Sequence, residues 1–322
     1  MKLVLKIILW IIIIIAAAAI GFYIYVSSSY PDVGKSPDIK VESSQYDIAR
    51  GEYLANYVSV CIDCHSERDW SVFSGPIISG TEGKGGEIFD EKKGFPGKFY
   101  AANITPYNLK DHTDGEIYRA ITTGVNKKGE AIFPVMPYLL YGKMDNEDIY
   151  DIIAYVRTLK PIKNDVEESS ADFPMSFILP TIPKKGQPQK RPNKEAGVEY
   201  GAYIINAAAC YECHTPFDRG QPIKEKAFAG GRKFQMQNGI VHSSNITPDK
   251  RTGIGNWSEK MFVVKFHAFA EGGYPVGENE VNTIMPWTMY AKMDSTDLRA
   301  IYHYLMSLDP IHNKVNRFSQ NR

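Results

Sequence analysis

The chain has 322 residues, of which 43% are hydrophobic and 23% charged, a composition that excludes a disordered protein and leaves room for two globular domains. Lysine plus arginine equal aspartate plus glutamate at 37 each. Because there is no net charge to attract a polyanion, we expect no nucleic-acid partner.

The first 30 residues contain an apolar stretch that predicts a transmembrane anchor over 1–30. From Ile7 to Val26 the chain runs 20 residues without a charge, which is the length that a helix needs to span a bilayer. A cleaved signal peptide is the alternative, although its apolar core is normally only about 7 to 15 residues long. The serines at 27–29 would be a weak cleavage site.

The charges around this stretch predict the orientation of the chain. Lys2 and Lys6 precede it, and no comparable basic cluster follows it immediately, so the positive-inside rule keeps the N-terminus in the cytoplasm and exports the rest. We therefore expect a single-pass protein of the cytoplasmic membrane whose following domains are periplasmic. Residues 31–45 are predicted to be a linker above the membrane.

The chain beyond residue 45 repeats itself at an offset of 149 residues. The clearest pairs at this offset are Cys61 with Cys210, Met136 with Met285, and Met144 with Met293. Two homologous domains explain this pattern, a first repeat over 46–163 and a second repeat over 196–315. Proline and charge predict a linker over 164–195, and 316–322 are a tail.

Helical patterns dominate both repeats. Residues 145–161 and 294–310 each place apolar side chains at i, i+3, i+4 and i+7 before a proline, which predicts amphipathic terminal helices. A helix also leads into each cysteine motif and includes a glycine, Gly51 or Gly201, although glycine costs about 1 kcal/mol inside a helix. We expect the terminal helix to approach closely at these glycines. Strand patterns are poor, so the predicted fold is all-α.

The four cysteines all lie in two copies of Cys-x-x-Cys-His. A zinc site would need two cysteine pairs about 15 to 20 residues apart, and a thioredoxin-like dithiol would need a βαβ setting. The sequence offers neither, and Cys-x-x-Cys-His is the signature of covalent c-type haem attachment. We therefore predict two covalently bound haem c groups. The attaching residues are Cys61, Cys64, Cys210 and Cys213, and the first iron ligands are His65 and His214.

Two pairs of methionines recur at the repeat offset and are candidates for the sixth position on each iron. Met144 and Met293 precede aspartates that look like helix N-caps, so we expect them to pack in hydrophobic staples. Met136 and Met285 instead precede proline in irregular segments, and each lies 71 residues beyond its haem histidine. We predict that Met136 and Met285 are the metal ligands, with ordinary core methionines and bis-histidine ligation as the alternatives.

The segments NITPDKRTGIGNWSEKMF and IMPWTMYAKMDSTDLRAIYHYLMSLDPI resemble the repeating haem domain of the cytochrome c subunits that accompany bacterial membrane-bound alcohol, aldehyde and sugar-acid dehydrogenases. The resemblance covers both repeats and implies two tandem class I cytochrome c domains, with His65 and Met136 on one iron and His214 and Met285 on the other. Those subunits usually carry three haems, and the first repeat here lacks the Gly-Ile-Gly-Asn-Trp of the second.

The same resemblance implies three further haem contacts. Asn103, Asn245 and Trp257 are expected to hydrogen-bond haem propionates. For the two asparagines, a turn-forming Asn-Ile-Thr-Pro without haem contact is the alternative.

These features predict a membrane-anchored dihaem cytochrome c that transfers single electrons in a periplasmic respiratory chain and has no catalytic residue of its own. Methionine ligation raises the potential of a haem and leaves no open coordination position, which suits electron transfer. The expected redox partners are a membrane dehydrogenase, a terminal oxidase or another cytochrome. A dihaem peroxidase or sulfur-compound oxidoreductase is the enzymatic alternative and would need a vacant or unusually ligated iron. A haem-based sensor would need an attached signalling domain.

Overall fold

The computed structural model describes residues 2–42, 47–237, 239–277 and 280–320. Residues 43–45 of the predicted linker, residue 46 of the first repeat and the end of the predicted tail lie outside these ranges. The α-helices are α1 (Lys2–Ser29), α2 (Ile48–Tyr53), α3 (Cys61–Cys64), α4 (Pro106–Leu109), α5 (Asp114–Thr123), α6 (Tyr138–Tyr141), α7 (Asn146–Thr158), α8 (Met175–Ile178), α9 (Val198–Ala207), α10 (Cys210–His214), α11 (Glu259–His267), α12 (Trp287–Tyr290) and α13 (Ser295–Met306).

Helix α1 is the one helix in the described ranges that is long and apolar enough to cross a membrane. Its 28 residues correspond to about 42 Å of helix. Its apolar side chains are exposed over almost the whole length, and Val26 near its C-terminal end is the one residue of the helix that is buried. Both a retained membrane anchor and a signal sequence have this length and apolar character.

The terminal helix of each repeat crosses the helix that precedes the cysteine motif, as the glycines predicted. Helix α7 packs against α2 and α13 packs against α9. A Cβ atom added at Gly51 would lie 1.9 Å from the carbonyl oxygen of Asp151, and one added at Gly201 would lie 2.0 Å from that of Ala300. The predicted close approach is confirmed, because only glycine leaves room for the facing backbone.

A single inserted residue distinguishes the first of these helices from the second. Gly51 lies ten residues before Cys61, whereas Gly201 lies nine residues before Cys210. The extra residue is absorbed by a π-helical turn, Leu54–Val58, that follows α2 directly. A π-turn is the usual form that a one-residue insertion takes inside a helix, and it keeps the glycine and the cysteine motif in matching places.

Short strands appear where the sequence predicted only loops. They form three small antiparallel sheets with the orders β1-β2-β3, β4-β5 and β6-β7-β8. The strands are β1 (Ile88–Phe89), β2 (Gly97–Tyr100), β3 (Ser170–Ala171), β4 (Phe217–Asp218), β5 (Gln221–Pro222), β6 (Lys233–Met236), β7 (Gly239–His242) and β8 (Phe318–Gln320). The all-α prediction holds for the helices that form the core and fails for these loops, because hairpins of two to four residues are too short to show an alternating pattern.

Two of the segments predicted to lie outside the repeats contain a strand that pairs with one of the repeats. In the 164–195 linker, β3 extends the sheet of the first repeat by pairing with β2. In the 316–322 tail, β8 pairs with β7 of the second repeat. Backbone hydrogen bonds therefore fix the path of each segment over the part that the structure describes.

Two tyrosines join the repeats in a reciprocal way. Tyr53 of the first repeat donates a hydrogen bond to Asp297 Oδ2 (2.8 Å) and accepts one from the backbone N–H of Asp294 (3.0 Å). Both aspartates lie at the start of α13. Burial raises the pKa of Tyr53, so its hydroxyl remains a neutral donor.

The second repeat makes the equivalent contact with the first. Tyr203 donates to Asp148 Oδ2 (2.6 Å) and accepts from the backbone N–H of Asp145 (3.0 Å) at the start of α7. Burial also raises the pKa of Tyr203. The side chains of Asp148 and Asp297 are fully buried, and each carboxylate accepts a hydrogen bond from its own repeat as well, Asp148 from Arg50 and Asp297 from Tyr200.

Candidate haem-binding sites

Each Cys-x-x-Cys-His motif begins a short helix after a residue with left-handed backbone. Val60 precedes α3 with φ 46°, and Ala209 precedes α10 with φ 52°. Such φ values are unfavourable for residues other than glycine, and most of all for a β-branched residue such as valine. The same strained turn at the same place in both repeats starts the motif in one fixed direction. Neither residue signals this conformation in the sequence.

The two histidines of the motifs are held by matching hydrogen bonds. His65 Nδ1 lies 2.6 Å from the carbonyl oxygen of Ala102, and His214 Nδ1 lies 2.8 Å from that of Ser244. A carbonyl oxygen can only accept, so Nδ1 carries the proton and Nε2 is left with its lone pair. Loss of hydration lowers the pKa of both histidines, which keeps the imidazoles neutral. This is the tautomer that an iron ligand needs.

The carbonyl groups that orient the histidines come from the residues just before the two Asn-Ile-Thr-Pro motifs. Asn103 Oδ1 accepts from the N–H and hydroxyl of Thr105, and its amide donates to the carbonyls of Ile162 and Asn164. The motif is thereby tied to the chain that leaves the terminal helix α7. The repeated Asn-Ile-Thr-Pro thus has a structural role in placing the acceptor for His65.

The second repeat uses the same arrangement. Asn245 Oδ1 accepts from the N–H and hydroxyl of Thr247, and its amide donates to Thr252 Oγ1 and the carbonyl of Ile311. A propionate contact from either asparagine would replace one of these bonds, and that contact stays a prediction. Trp257 is half-buried, and its ring packs edge-on against Phe262 at 6.5 Å.

The four cysteines form no disulfide with one another. Burial raises the pKa of Cys61, Cys64 and Cys210 to about 12. Thiols with such pKa values remain protonated at neutral pH and are poor redox nucleophiles. Within the described ranges, no three His, Cys, Asp or Glu side chains cluster as a metal site. Raised thiol pKa values are the opposite of those of a redox dithiol.

A cavity of about 1680 Å³ opens beside the first motif, and its size exceeds the roughly 300–1,000 Å³ of ordinary small-molecule pockets. Cys61, Cys64, His65 and Met136 all line it, and Cys213 of the second motif reaches it as well. The predicted attachment and ligand residues of the first repeat therefore face one space. Asn103 also lines the cavity, whereas Asn245 and Trp257 are not among the described residues that do.

Basic and acidic side chains both line this cavity. The basic residues that line it include Arg68, Lys92, Lys93 and Arg232. Arg68 forms a buried ion pair with Asp63 (3.0 Å), and Arg232 pairs with Glu212 (3.5 Å). The size of the cavity, the two cysteines and the fixed tautomer of His65 together fit a large group attached through sulfur.

The two predicted methionine ligands sit in identical turns. The backbone N–H of Tyr138 bonds the carbonyl of Met136 (2.8 Å), and that of Trp287 bonds the carbonyl of Met285 (2.8 Å). The intervening prolines have φ and ψ of −80° and 50°, and of −80° and 64°. These are the angles of an inverse γ-turn. Because proline fixes φ, the backbone that follows each methionine has the same shape.

The other methionine pair lies in the core. Met144 is 1% and Met293 2% exposed, and the side chains expected to pair with them in hydrophobic staples, Ile149 and Leu298, are fully buried. Met136 and Met285 are only partly buried against the core. The structure therefore separates the two pairs as the sequence predicted, and iron ligation by Met136 and Met285 stays a prediction.

The loop that follows the first motif also supports the methionine turn of the second repeat. Ser74 is fully buried, with φ 71°. Its hydroxyl donates to the carbonyl of Met285 (2.8 Å), and its N–H donates to Asn282 Oδ1 (2.8 Å). Asn282 in turn donates to the carbonyls of Trp70 and Val72. No repeat or motif in the sequence pointed to this contact between the repeats.

Comparison with known proteins is consistent with this geometry. Residues 198–309 match the model of the cytochrome c family. The chain is 26% identical over 280 residues to the cytochrome c subunit of the quinone alcohol dehydrogenase of Gluconobacter oxydans (82% of this chain, 55% of the relative). It is 26% identical over 279 residues to the gluconate 2-dehydrogenase cytochrome c subunit of Pantoea cypripedii (81% and 59%). A diheme cytochrome c-type of Cereibacter sphaeroides is 26% identical over 219 residues (63% and 68%).

The fold and the site thus define a protein with a cytochrome c domain. The chain is homologous to the cytochrome c subunits of alcohol and gluconate dehydrogenases, which confirms the resemblance read from its motifs. It spans 55% and 59% of the length of these two relatives.

Proposed function

We propose that the protein is a dihaem c-type cytochrome with two tandem class I domains, over 46–163 and 196–315, held by α1 in the cytoplasmic membrane and facing the periplasm. The observation that carries the proposal is the matched histidine geometry. In each repeat a strained turn starts the motif, and a carbonyl before Asn-Ile-Thr-Pro fixes the Nδ1–H tautomer. Two sites built to one plan support two haems.

The proposed activity is one-electron transfer. When bound, haem c supplies an iron that alternates between the ferric and ferrous states. The hydrogen bond at Nδ1 holds the imidazole of His65 or His214 in place and raises the basicity of Nε2. The proline-locked turns of Met136 and Met285 offer a thioether as the second ligand, which raises the potential relative to a nitrogen ligand.

The names of the relatives support a dehydrogenase as the electron donor. The cytochrome c subunits of an alcohol dehydrogenase and a gluconate dehydrogenase are both homologous to this chain. We therefore propose that electrons enter from a dehydrogenase and leave to a terminal oxidase or another cytochrome. The cavity beside the first motif reaches Cys213 of the second, which supports direct transfer between the two haems.

The haem content tests the proposal. The export-matured protein should contain two haems per chain in a pyridine haemochrome assay, and both should stay attached after denaturation. A variant with Cys61→Ser and Cys64→Ser should keep one, and so should a variant with Cys210→Ser and Cys213→Ser. A single haem in the wild-type protein, or haem that leaves on denaturation, would contradict the proposal.

Transfer itself is tested by stopped-flow reduction. A one-electron donor should reduce both haems of the wild-type protein without release of any product. Catalytic peroxide consumption by the purified protein would instead support the peroxidase-like alternative.

A further inference from the structure

The linker between the repeats returns to the end of α1. The ring of Phe177, in α8, packs against Phe22 with centroids 5.5 Å apart and against Tyr23 at 6.3 Å. The 3-10 turn Leu179–Thr181 that follows α8 also contacts α1. A segment predicted to connect two periplasmic domains is thus in contact with the apolar helix proposed to cross the membrane.

The position of this contact along α1 places it below the membrane surface. The apolar stretch of α1 ends at Val26, before the serines at 27–29, and Phe22 lies four residues before that end. At 1.5 Å per residue, Phe22 lies about 6 Å inside the outer boundary of the hydrocarbon core. Amphipathic segments that lie in a membrane interface bury their apolar side chains by about 5–10 Å. Phe177 therefore lies at the depth of an interfacial segment.

The same segment presents uncovered apolar side chains next to basic ones. Phe173 is 86% exposed, the highest value among the large apolar side chains that the structure describes, and Ile178 is 43% exposed. Lys184 and Lys185 follow and are also exposed. Aromatic residues and lysines are the side chains that anchor a segment at the level of lipid headgroups.

We propose that residues 173–185, here called the linker segment, form a second membrane contact in which Phe173, Phe177 and Ile178 insert into the outer lipid interface and Lys184 and Lys185 face the headgroups. The proposal rests on the anchoring of α1 in the proposed function. We assign the lipid bilayer as the surface that covers these side chains, because the linker segment contacts α1 through the ring of Phe177.

A second contact would fix the orientation of the haem sites above the membrane. Before the linker segment, the N–H of Asp172 bonds the carbonyl of Pro96 (3.0 Å). After it, the N–H of Gln187 bonds the carbonyl of Gly142 (2.7 Å) and that of Arg191 bonds Asp145 Oδ2 (2.8 Å). The first repeat is thus held on both sides of the segment and cannot turn freely about α1.

Site-directed spin labelling tests the proposal on the full-length, export-matured protein in vesicles of phosphatidylethanolamine and phosphatidylglycerol. Phe173→Cys carries the label at the proposed contact. Ile24→Cys, in α1, is the control for the anchor. Tyr274→Cys is the control for a water-exposed site. It replaces another exposed aromatic residue, which lies in the second repeat. The native cysteines are blocked by haem in the proposed function, so the unsubstituted protein should take up no label.

Power saturation with oxygen and with a water-soluble nickel chelate then reports the environment of each label. We expect the label at Phe173 to be oxygen-accessible and protected from nickel, at a depth of about 5–10 Å, and the label at Tyr274 to be nickel-accessible. Nickel accessibility at Phe173 with Ile24 still in lipid would overturn the second contact and leave the anchor intact. If the label at Phe173 were protected from both oxygen and nickel, the membrane contact would be overturned in favour of contact with a protein partner. Release of the protein from the vesicles would overturn the anchor and the second contact together.

Discussion

Substitution of Gly201 by alanine should destabilise the second repeat, against the usual effect of alanine in a helix. In an exposed helix the change would stabilise the protein by about 1 kcal/mol. Here the new Cβ would lie 2.0 Å from the carbonyl oxygen of Ala300, 2.6 Å from its carbon and 3.0 Å from the Cβ of Tyr304. Contacts under 3.0 Å are essentially never seen, so α9 and α13 would have to separate by about 1 Å.

The size of the effect follows from what blocks the new atom. Overpacking typically costs about 1–3 kcal/mol, and this site lies at the upper end because the obstacle is backbone rather than a flexible side chain. After the gain in helix propensity, we expect the free energy of unfolding to fall by about 2 kcal/mol. Gly51→Ala should cost a similar amount, since its Cβ would lie 1.9 Å from the carbonyl oxygen of Asp151.

The assay is guanidinium unfolding in detergent, followed by far-UV circular dichroism and by Soret absorbance. Gly277→Ala is the matched control, because its nearest neighbour to an added Cβ is 3.7 Å away and its φ lies outside the left-handed region. That variant should be as stable as the wild type or slightly more stable. If Gly201→Ala were equally stable, the close packing of α9 and α13 would be refuted.

Three further predictions concern the iron ligands and a buried carboxyl group. Met136→Ala and Met285→Ala should each remove the near-infrared sulfur-to-iron band of one haem, lower its potential and admit carbon monoxide there; persistence of the band in the double variant would refute methionine ligation. Ser74→Gly keeps the left-handed φ of 71° but removes the buried hydrogen bond to Met285. Carbon monoxide should therefore bind more tightly at the second haem only, and the free energy of unfolding should fall by about 1 kcal/mol; equal effects at both haems would contradict this. Burial raises the pKa of Asp151 to about 6, so the stability that this group contributes is present below about pH 4 and lost as pH rises through 6. Asp151→Asn should therefore match the wild type at about pH 4 and exceed it in unfolding free energy at about pH 7, whereas a constant difference would refute the shift.

Sequence patterns were sufficient for the features that depend on residue type and spacing. The glycines at 51 and 201 indicated the close approach of the terminal helices, because a helix tolerates glycine there only for a packing reason. The aspartates at the start of α7 and α13 separated Met144 and Met293 from the other methionine pair, and both lie in the core.

Other features depend on backbone angles and long-range contacts that residue type does not predict. The left-handed φ of Val60 runs against the preference of valine, so the sequence argues for the opposite conformation. Strands of two residues, such as β1, are set by the partner strand and not by an alternating pattern. The bond from Ser74 to Met285 joins residues 211 positions apart, and the two lie in different repeats whose relative placement no motif encodes.

The reciprocal contacts of Tyr53 and Tyr203 resemble those across the interface of a symmetric dimer. Each hydroxyl reaches the same place on the opposite repeat, at Asp297 or Asp148, and a contact in which i meets j while j meets i is the mark of an isologous two-fold interface. A chain of two repeats with such an interface is what results when the subunits of a homodimer become joined end to end. Because the linker joins the two halves, their association no longer depends on concentration. The two halves are then free to diverge in loops such as those around β1 and β6 while the reciprocal tyrosine contacts are kept.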